Sequence, residues 1–357
     1  MKIAVFCPNL IGDTVMATPA FRALRRGFPE AMLTLVVKPR VWPTLEGTTW
    51  FDEVIKFEPG SMDREQRTLP VVRRLRRARF DVAVLFPNSI RFASIAWLAD
   101  IPRRLGYVRH GRGLLLSDRL HYPRDSEGRR LPTPIVESYL KLVRLLGCPV
   151  ESVRAELATT GDDEAAADAA WAELGLESAE KVVCLNTGGA FGPAKSWPTS
   201  HFGELARRLA AEAGAAVLVL CGPDERAAAR EIVHSACHPR VVSLADRSLG
   251  IGLTKACVRR CALLITTDSG PRHFASAFNT RVITLFGPTH VSWTRTYHPG
   301  AWHVFHPVPC GPCQRAVCPE GHHRCMRDLT PEGVYRVALR ALAGASNRTR
   351  SLVTSVE

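Results

Sequence analysis

No apolar run in this 357-residue chain approaches the roughly 20 consecutive residues that a membrane-crossing helix needs. The first residues, MKIAVFCPNL, also lack the basic region and small-residue cleavage site of a secretory signal. Both absences point to a cytoplasmic protein. Two phosphate-binding signatures are missing as well. G-x-x-x-x-G-K-[ST] does not occur, which excludes a Walker P-loop, and neither does the G-x-G-x-x-G fingerprint of dinucleotide-binding folds.

What is present is apolar residue enough, 46% of the chain, for two buried cores, and a length that suits two domains of about 150 to 180 residues. The net charge of +13 is unevenly placed: residues 1–160 hold 26 Lys and Arg against 16 Asp and Glu, a balance of +10, which leaves +3 for the rest. A basic half-molecule calls for an anionic partner such as a nucleic acid, a phosphorylated glycolipid or an anionic membrane surface. A nucleic-acid binder would interleave aromatic with basic residues, yet Arg73 to Arg79 has no aromatic before Phe80. Those arginines read more simply as the solvated face of a helix.

Short apolar runs alternate with helical stretches along the chain. KIAVFC (Lys2 to Cys7), MLTLVVK (Met32 to Lys38) and DVAVLFP (Asp81 to Pro87) read as strands, with helices from near Gly12, restarting or kinked at Pro19, and after Ser89. In the second of these the apolar face is read as Ile95, Trp97 and Leu98. Arg103 to Asp125, rich in Arg, Gly and His and without periodicity, reads as a surface loop that binds something acidic. A second series follows an Ala-rich helix from Gly161: KVVCLN, AAVLVLCGP, RVVSL, LLIT and VITLF as strands, with a helix capped near Thr199 or Ser200. Strand alternating with helix means a parallel, doubly wound sheet, here twice over, with the two domains facing each other across a cleft.

Polar residues collect where strands give way to helices. Asp13 follows the first strand and either caps the helix or serves as a general base. Asn88 and Ser89 follow another strand. The stretch Asn186 to Lys195 combines glycines, the Thr187 hydroxyl and one lysine, a combination that binds a diphosphate, with an ordinary glycine-rich connection as the alternative. In Asp268-Ser269-Gly270-Pro271-Arg272-His273 a strand turns into a helix whose first N–H groups attract anions. There Asp268 holds a ribose or orients the loop, and His273 donates to a phosphate; the alternative is a helix cap with a core-facing histidine. Cys310, Cys313, Cys318 and Cys325, with His322 and His323, have the spacing of a structural zinc site, with unpaired thiols or disulfides as alternatives.

Five stretches in order, IGDTVMATPAFRALRRGFP, FPNSIRFASIAWLADIPRRLGY, GGAFGPAKSWP, TTDSGPRHFASAFNTRVITLFGPT and CPEGHHRCM, resemble the ADP-heptose:lipopolysaccharide heptosyltransferases of glycosyltransferase family 9. The Asn88 stretch and the FGPAKSWP loop are most similar to the heptosyltransferase II branch. The resemblance runs from Met1 to about Ala343. It implies a GT-B fold with an acceptor domain over 1–160, a donor domain over 161–343 and a polar, disordered tail over 344–357.

By the same resemblance Asp13 is the catalytic base and Lys195 the diphosphate-binding lysine. Thr187, Gly188, Asp268, Ser269, Gly270 and His273 would hold the donor, and Glu225, with Asp224 as rival, its ribose. Asn88, Ser89 and Arg109 would hold the acceptor. Arg272, and Thr267 where relatives often have Asn, depart from the family pattern. The implied reaction is an inverting transfer of heptose from ADP-heptose to a phosphorylated, Kdo-bearing lipid A core. No metal or other cofactor takes part in catalysis, and the enzyme sits peripherally on the anionic inner face of the inner membrane. A heptosyltransferase I-like or other family 9 enzyme with a different acceptor is the alternative.

Overall fold

Lys2–Phe6, the first apolar run, forms β1, and its residues after Lys2 are fully buried. The structure, a computed structural model, describes residues 1–189 and 191–344; Ala190 and 345–357, and with them nearly all of the expected tail, lie outside the described residues. By internal contacts the chain divides into two units. The first runs from Met1 to Ala158 and also holds Ser292–Arg295; the second holds Thr159–Val291 and the chain from Thr296 on.

The first unit is a parallel sheet ordered β3-β2-β1-β4-β5-β6, comprising β1, β2 (Met32–Val37), β3 (Glu53–Lys56), β4 (Val82–Leu85), β5 (Arg103–Tyr107) and β6 (Asp118–Leu120). Ile3 of β1 lies opposite Leu33 on one side and Val82 on the other. Helices α1 (Ile11–Gly27), α2 (Thr68–Ala78), α3 (Ile90–Leu98) and α4 (Ile135–Arg144) complete it. The order reverses between β1 and β4, so the loops that follow those two strands flank the crevice where doubly wound sheets bind ligands.

Several expectations change here. Arg103 to Asp125 is not a surface loop: it supplies β5 and β6, and Arg112 within it is fully buried. Pro19 does not restart α1, which is one helix. The Val15 carbonyl that Pro19 cannot reach accepts instead from Thr18 Oγ1 at 2.8 Å, and the helix runs on to Gly27. On α3 the buried face is Phe92, Ala93, Ile95 and Ala96, whereas Trp97 is 52% and Leu98 39% exposed. The arginines of α2 do form a solvated face, with Val71, Val72 and Leu75 inward.

The second unit opens with α5 (Gly161–Glu173), whose Thr160 and Asp163 form a reciprocal capping box. Its parallel sheet is ordered β12-β11-β10-β7-β8-β9, from β7 (Val182–Asn186), β8 (Ala216–Leu220), β9 (Val241–Ser243), β10 (Leu263–Thr267), β11 (Val282–Phe286) and β12 (Ala301–Phe305). Every residue of β7, β8, β10 and β11 is buried, as expected of strands covered on both faces by α6 (Thr199–Ala211), α7 (Arg226–Ala236), α8 (Ile251–Arg260), α9 (Gly270–Phe278), α10 (Arg324–Arg327) and α11 (Pro331–Leu342). The N-cap of α6 is Pro198, without a side-chain bond, so neither Thr199 nor Ser200 caps it. The order reverses between β7 and β10. Among the described residues no helix is long and apolar enough to cross a membrane.

Candidate active site

The loops after β7 and β10 meet at this reversal. Lys195 Nζ donates to Asp268 Oδ2 at 2.8 Å and to the Asp268 carbonyl at 2.9 Å, with both side chains largely buried. Asp268 also accepts from Arg272 Nη1 at 2.7 Å and from Thr289 Oγ1 at 2.7 Å. Burial opposes ionisation of this carboxyl, but the Arg272 and Lys195 charges outweigh it and hold its pKa well below the usual carboxylate range. Of the two roles open to Asp268, orienting the loop is the one its contacts describe. It is the anion between two cations.

Arg272, one of the two departures, is 1% exposed and stands 4.9 Å over the Phe286 ring as well as against Asp268. Ser269 occupies the N-cap position of α9 without a side-chain cap bond. Its Oγ turns instead to Asn186 Nδ2 at 3.1 Å and Thr266 Oγ1 at 3.0 Å, tying β7 to β10. The first N–H groups of α9 therefore lie beside Lys195 with no capping side chain of Ser269 on them. His273 is 4% exposed, and burial, aided by the Arg272 charge, lowers its pKa to about 3. It is a neutral imidazole at physiological pH, able to donate one N–H but not to act as a cation.

The β7 loop contributes the second face. Thr187 Oγ1 is buried with no hydrogen-bond partner among the described residues. Gly188 allows a close approach: a Cβ there would stand 1.4 Å from Glu225 Oε1. Glu225 Oε2 accepts from the Gly222 N–H at 2.8 Å, which fixes its carboxylate after β8, while its rival Asp224 is exposed. Thr187, Gly188, Lys195, Glu225, Asp268, Ser269 and Gly270 are thus brought to one end of one sheet. Asn186 and Thr289 belong to the same network, and only their hydroxyl or amide next to a strand end marks them in the sequence.

In the first unit Asp13 stands half-buried in the first turn of α1, where the N-cap is Leu10. Its charge, after burial, raises the Tyr139 pKa. Asn88 Nδ2 donates to Tyr122 Oη at 2.8 Å and its Oδ1 accepts from Arg112 at 3.0 Å. Ser89 is the N-cap of α3, and Arg109 is exposed. These residues gather after β1, β4 and β5.

The cysteine cluster does not match the zinc expectation. Cys310 Sγ meets His322 Nε2 at 3.6 Å, and the Cys325 thiol is pushed up to about 11 by burial and the neighbouring Cys313, Cys318 and Cys310. Among the described residues no group of three or more His, Cys, Asp or Glu side chains is arranged to hold a metal ion. The segment buttresses the loops after β7 and β11: Ala316 O accepts from Ala194 N at 3.0 Å, and Gln314 N donates to Pro288 O at 2.8 Å.

Residues 68–324 match glycosyltransferase family 9 (heptosyltransferase). The chain belongs to this family. It is a glycosyltransferase enzyme, 26% identical over 346 residues to lipopolysaccharide heptosyltransferase 2 of Salmonella typhimurium, with 94% of this chain and 96% of that one covered. Among solved structures it resembles the ADP-heptose lipopolysaccharide heptosyltransferase II of E. coli, with a TM-score of 0.78 at 25% identity over 96% of this chain and 99% of that one. A family 9 glycosyltransferase of Veillonella parvula gives a TM-score of 0.80 at 20% identity over 96% and 97% of the two chains. The two doubly wound units are those of the GT-B family 9 fold.

Proposed function

We propose that this family 9 enzyme moves heptose from ADP-heptose to the inner core of lipopolysaccharide, in the manner of heptosyltransferase II, with inversion and without a catalytic metal. The observation that carries the reading is the meeting of Lys195 with Asp268 at the reversal of the second sheet. A lysine held there, next to the first amides of α9 and the buried Thr187 hydroxyl, matches the charge and hydrogen-bonding needs of a nucleoside diphosphate. Glu225 against Gly188 offers a carboxylate to a ribose hydroxyl. The near relatives are named heptosyltransferases for lipopolysaccharide, which supports the choice of sugar and acceptor.

In the proposed step the Asp13 carboxylate takes the proton of an acceptor hydroxyl while its oxygen bonds to the anomeric carbon. The bond from that carbon to the diphosphate oxygen breaks on the opposite face, and ADP departs with the electron pair. Lys195 and the α9 amides stabilise the departing charge; His273, being neutral, contributes at most a hydrogen bond. The basic first unit, with α2 arginines such as Arg73 and Arg77 exposed, suits a phosphorylated acceptor and a peripheral place on an anionic cytoplasmic leaflet. Purified protein is incubated with ADP-heptose and defined truncated core acceptors, and the product is weighed by mass spectrometry. A gain of one heptose on a heptose-bearing acceptor is expected; no gain on any acceptor would sink the reading.

A further inference from the structure

Arg130 of the first unit is held between two aromatic faces. Its guanidinium carbon lies 3.6 Å from the centroid of Tyr122 and 4.4 Å from that of Trp293, which belongs to the 292–295 segment of the same unit. Tyr122 is itself fixed. It stacks on Tyr107 with centroids 4.1 Å apart and planes 16° from parallel, and its hydroxyl accepts from Asn88, which the buried Arg112 holds from the other side. Residues at the carboxyl ends of β4 and β5 therefore set the plane in which the Arg130 guanidinium lies.

What this frame does not supply is a hydrogen-bond acceptor. Nε and Nη2 of Arg130 are buried, and neither has a partner among the described residues. These two nitrogens form one edge of the guanidinium, the edge that meets a carboxylate or phosphate through two parallel bonds. A buried donor left without an acceptor destabilises the fold, because it has given up its water for nothing. A guanidinium that served only to fill the space between two rings would do so without that cost if its edge faced solvent or a carbonyl. The neighbouring Arg109 charge, which after burial also lowers the Arg130 pKa, makes the spot still more favourable to an anion.

We infer that the Nε and Nη2 edge of Arg130 binds a phosphate or carboxylate group of the acceptor and thereby sets which acceptor is used. The inference rests on the reading of the first unit as the acceptor-binding one. Arg130 is a specificity residue, distant in role from the donor site of the second unit. Lysine cannot replace it, because an ammonium offers no planar pair of donors.

The test uses R130K and R130Q of the full chain with three acceptor preparations: intact, enzymatically dephosphorylated, and with carboxyl groups reduced to alcohols. R130Q is expected to raise KM for the intact acceptor about 10- to 100-fold, with R130K between it and wild type and with kcat and ADP affinity unchanged. Whichever chemical change removes the bound group raises wild-type KM by a similar factor and has no further effect in R130Q; that arm tells phosphate from carboxylate. Wild-type KM in R130Q, or equal sensitivity of wild type and variant to both changes, overturns the inference and leaves Arg130 as a spacer or the partner of a water. If R130Q melts early, R130K carries the comparison. Calorimetric binding of the intact and altered acceptors to wild type and R130K needs no turnover, so it judges Arg130 even where no heptose is transferred and the proposed function itself has failed.

Discussion

Lys195 and Asp268 come from strand-end loops 73 residues apart, and Lys195 Nζ bonds both the carboxylate and the carbonyl of Asp268. The cation proposed to receive the donor diphosphate is thus aimed before any donor arrives. Since Arg272 and Thr289 also hold Asp268, removing Lys195 leaves a paired carboxylate, whereas removing Asp268 leaves two cations facing each other. Lys195→Ala is expected to keep its fold and to bind ADP about 10- to 100-fold more weakly, the range of one charge-assisted hydrogen bond. Asp268→Asn is expected to lose about 3 to 5 kcal/mol of stability, as buried pairs do when one partner is removed. Calorimetry with ADP and urea unfolding separate the two effects; unchanged ADP affinity in Lys195→Ala would remove the lysine from the site.

Gly188 and Glu225 are predicted to act as one unit. With a Cβ at 188 the Glu225 carboxylate must swing away and give up the Gly222 N–H. Gly188→Ala and Glu225→Gln should each weaken ADP by about tenfold, and the double variant should lose little more, because contacting residues are not additive. Inorganic pyrophosphate offers no ribose, so its affinity should be unaffected by Glu225→Gln. Additive losses, or an equal loss with pyrophosphate, would place Glu225 elsewhere.

His273 yields a prediction about stability and pH. Its folded pKa lies near 3 against an ordinary 6.5, so below pH 6.5 the unfolded chain takes up a proton that the folded chain refuses. The stability contributed by the neutral ring is complete above pH 6.5 and is lost as pH falls toward 3. Between pH 6.5 and 5 the loss amounts to about 2 kcal/mol, at about 1.4 kcal/mol per pH unit. Urea unfolding at pH 7 and pH 5 should show a shallower fall in His273→Gln than in wild type, whatever the offset between them. Equal slopes would mean that the ring is protonated in the folded state.

The loops after β7 and β10 are legible in the sequence because glycine and proline follow runs such as LLITT and VVCLN, which fixes where strand gives way to loop. The partners within the loops are not. For Asp268 the sequence leaves ribose holder, loop organiser and cap all open, because its side-chain partners include residues 73 and 21 positions away, and only the sheet order brings them in. β5 and β6 are hidden in the sequence for a similar reason. Arg103 pairs with Asp118 and Arg104 donates to the Leu115 and Ile101 carbonyls, so the polar residues that suggested a loop are satisfied across and around the strands. Apolarity alone points Trp97 and Leu98 inward, but the face begun by Phe92 continues through Ile95 and Ala96, and the next two positions turn out of it.

Asp13 carries the last prediction. It stands in the first turn of α1, at the carboxyl end of β1 beside the reversal of the first sheet, and its charge is felt by Tyr139. Asp13→Asn preserves shape and most hydrogen bonding but cannot accept the proton of an acceptor hydroxyl. Loss of a general base lowers the rate of the chemical step by about 100- to 10,000-fold. ADP affinity should not change, since the residues proposed to hold the donor belong to the other unit. Single-turnover transfer from bound ADP-heptose is the right measurement, because slow product release would hide part of the effect in kcat. A single-turnover rate within about threefold of wild type would exclude Asp13 as the base, since a threefold change is under about 1 kcal/mol of barrier.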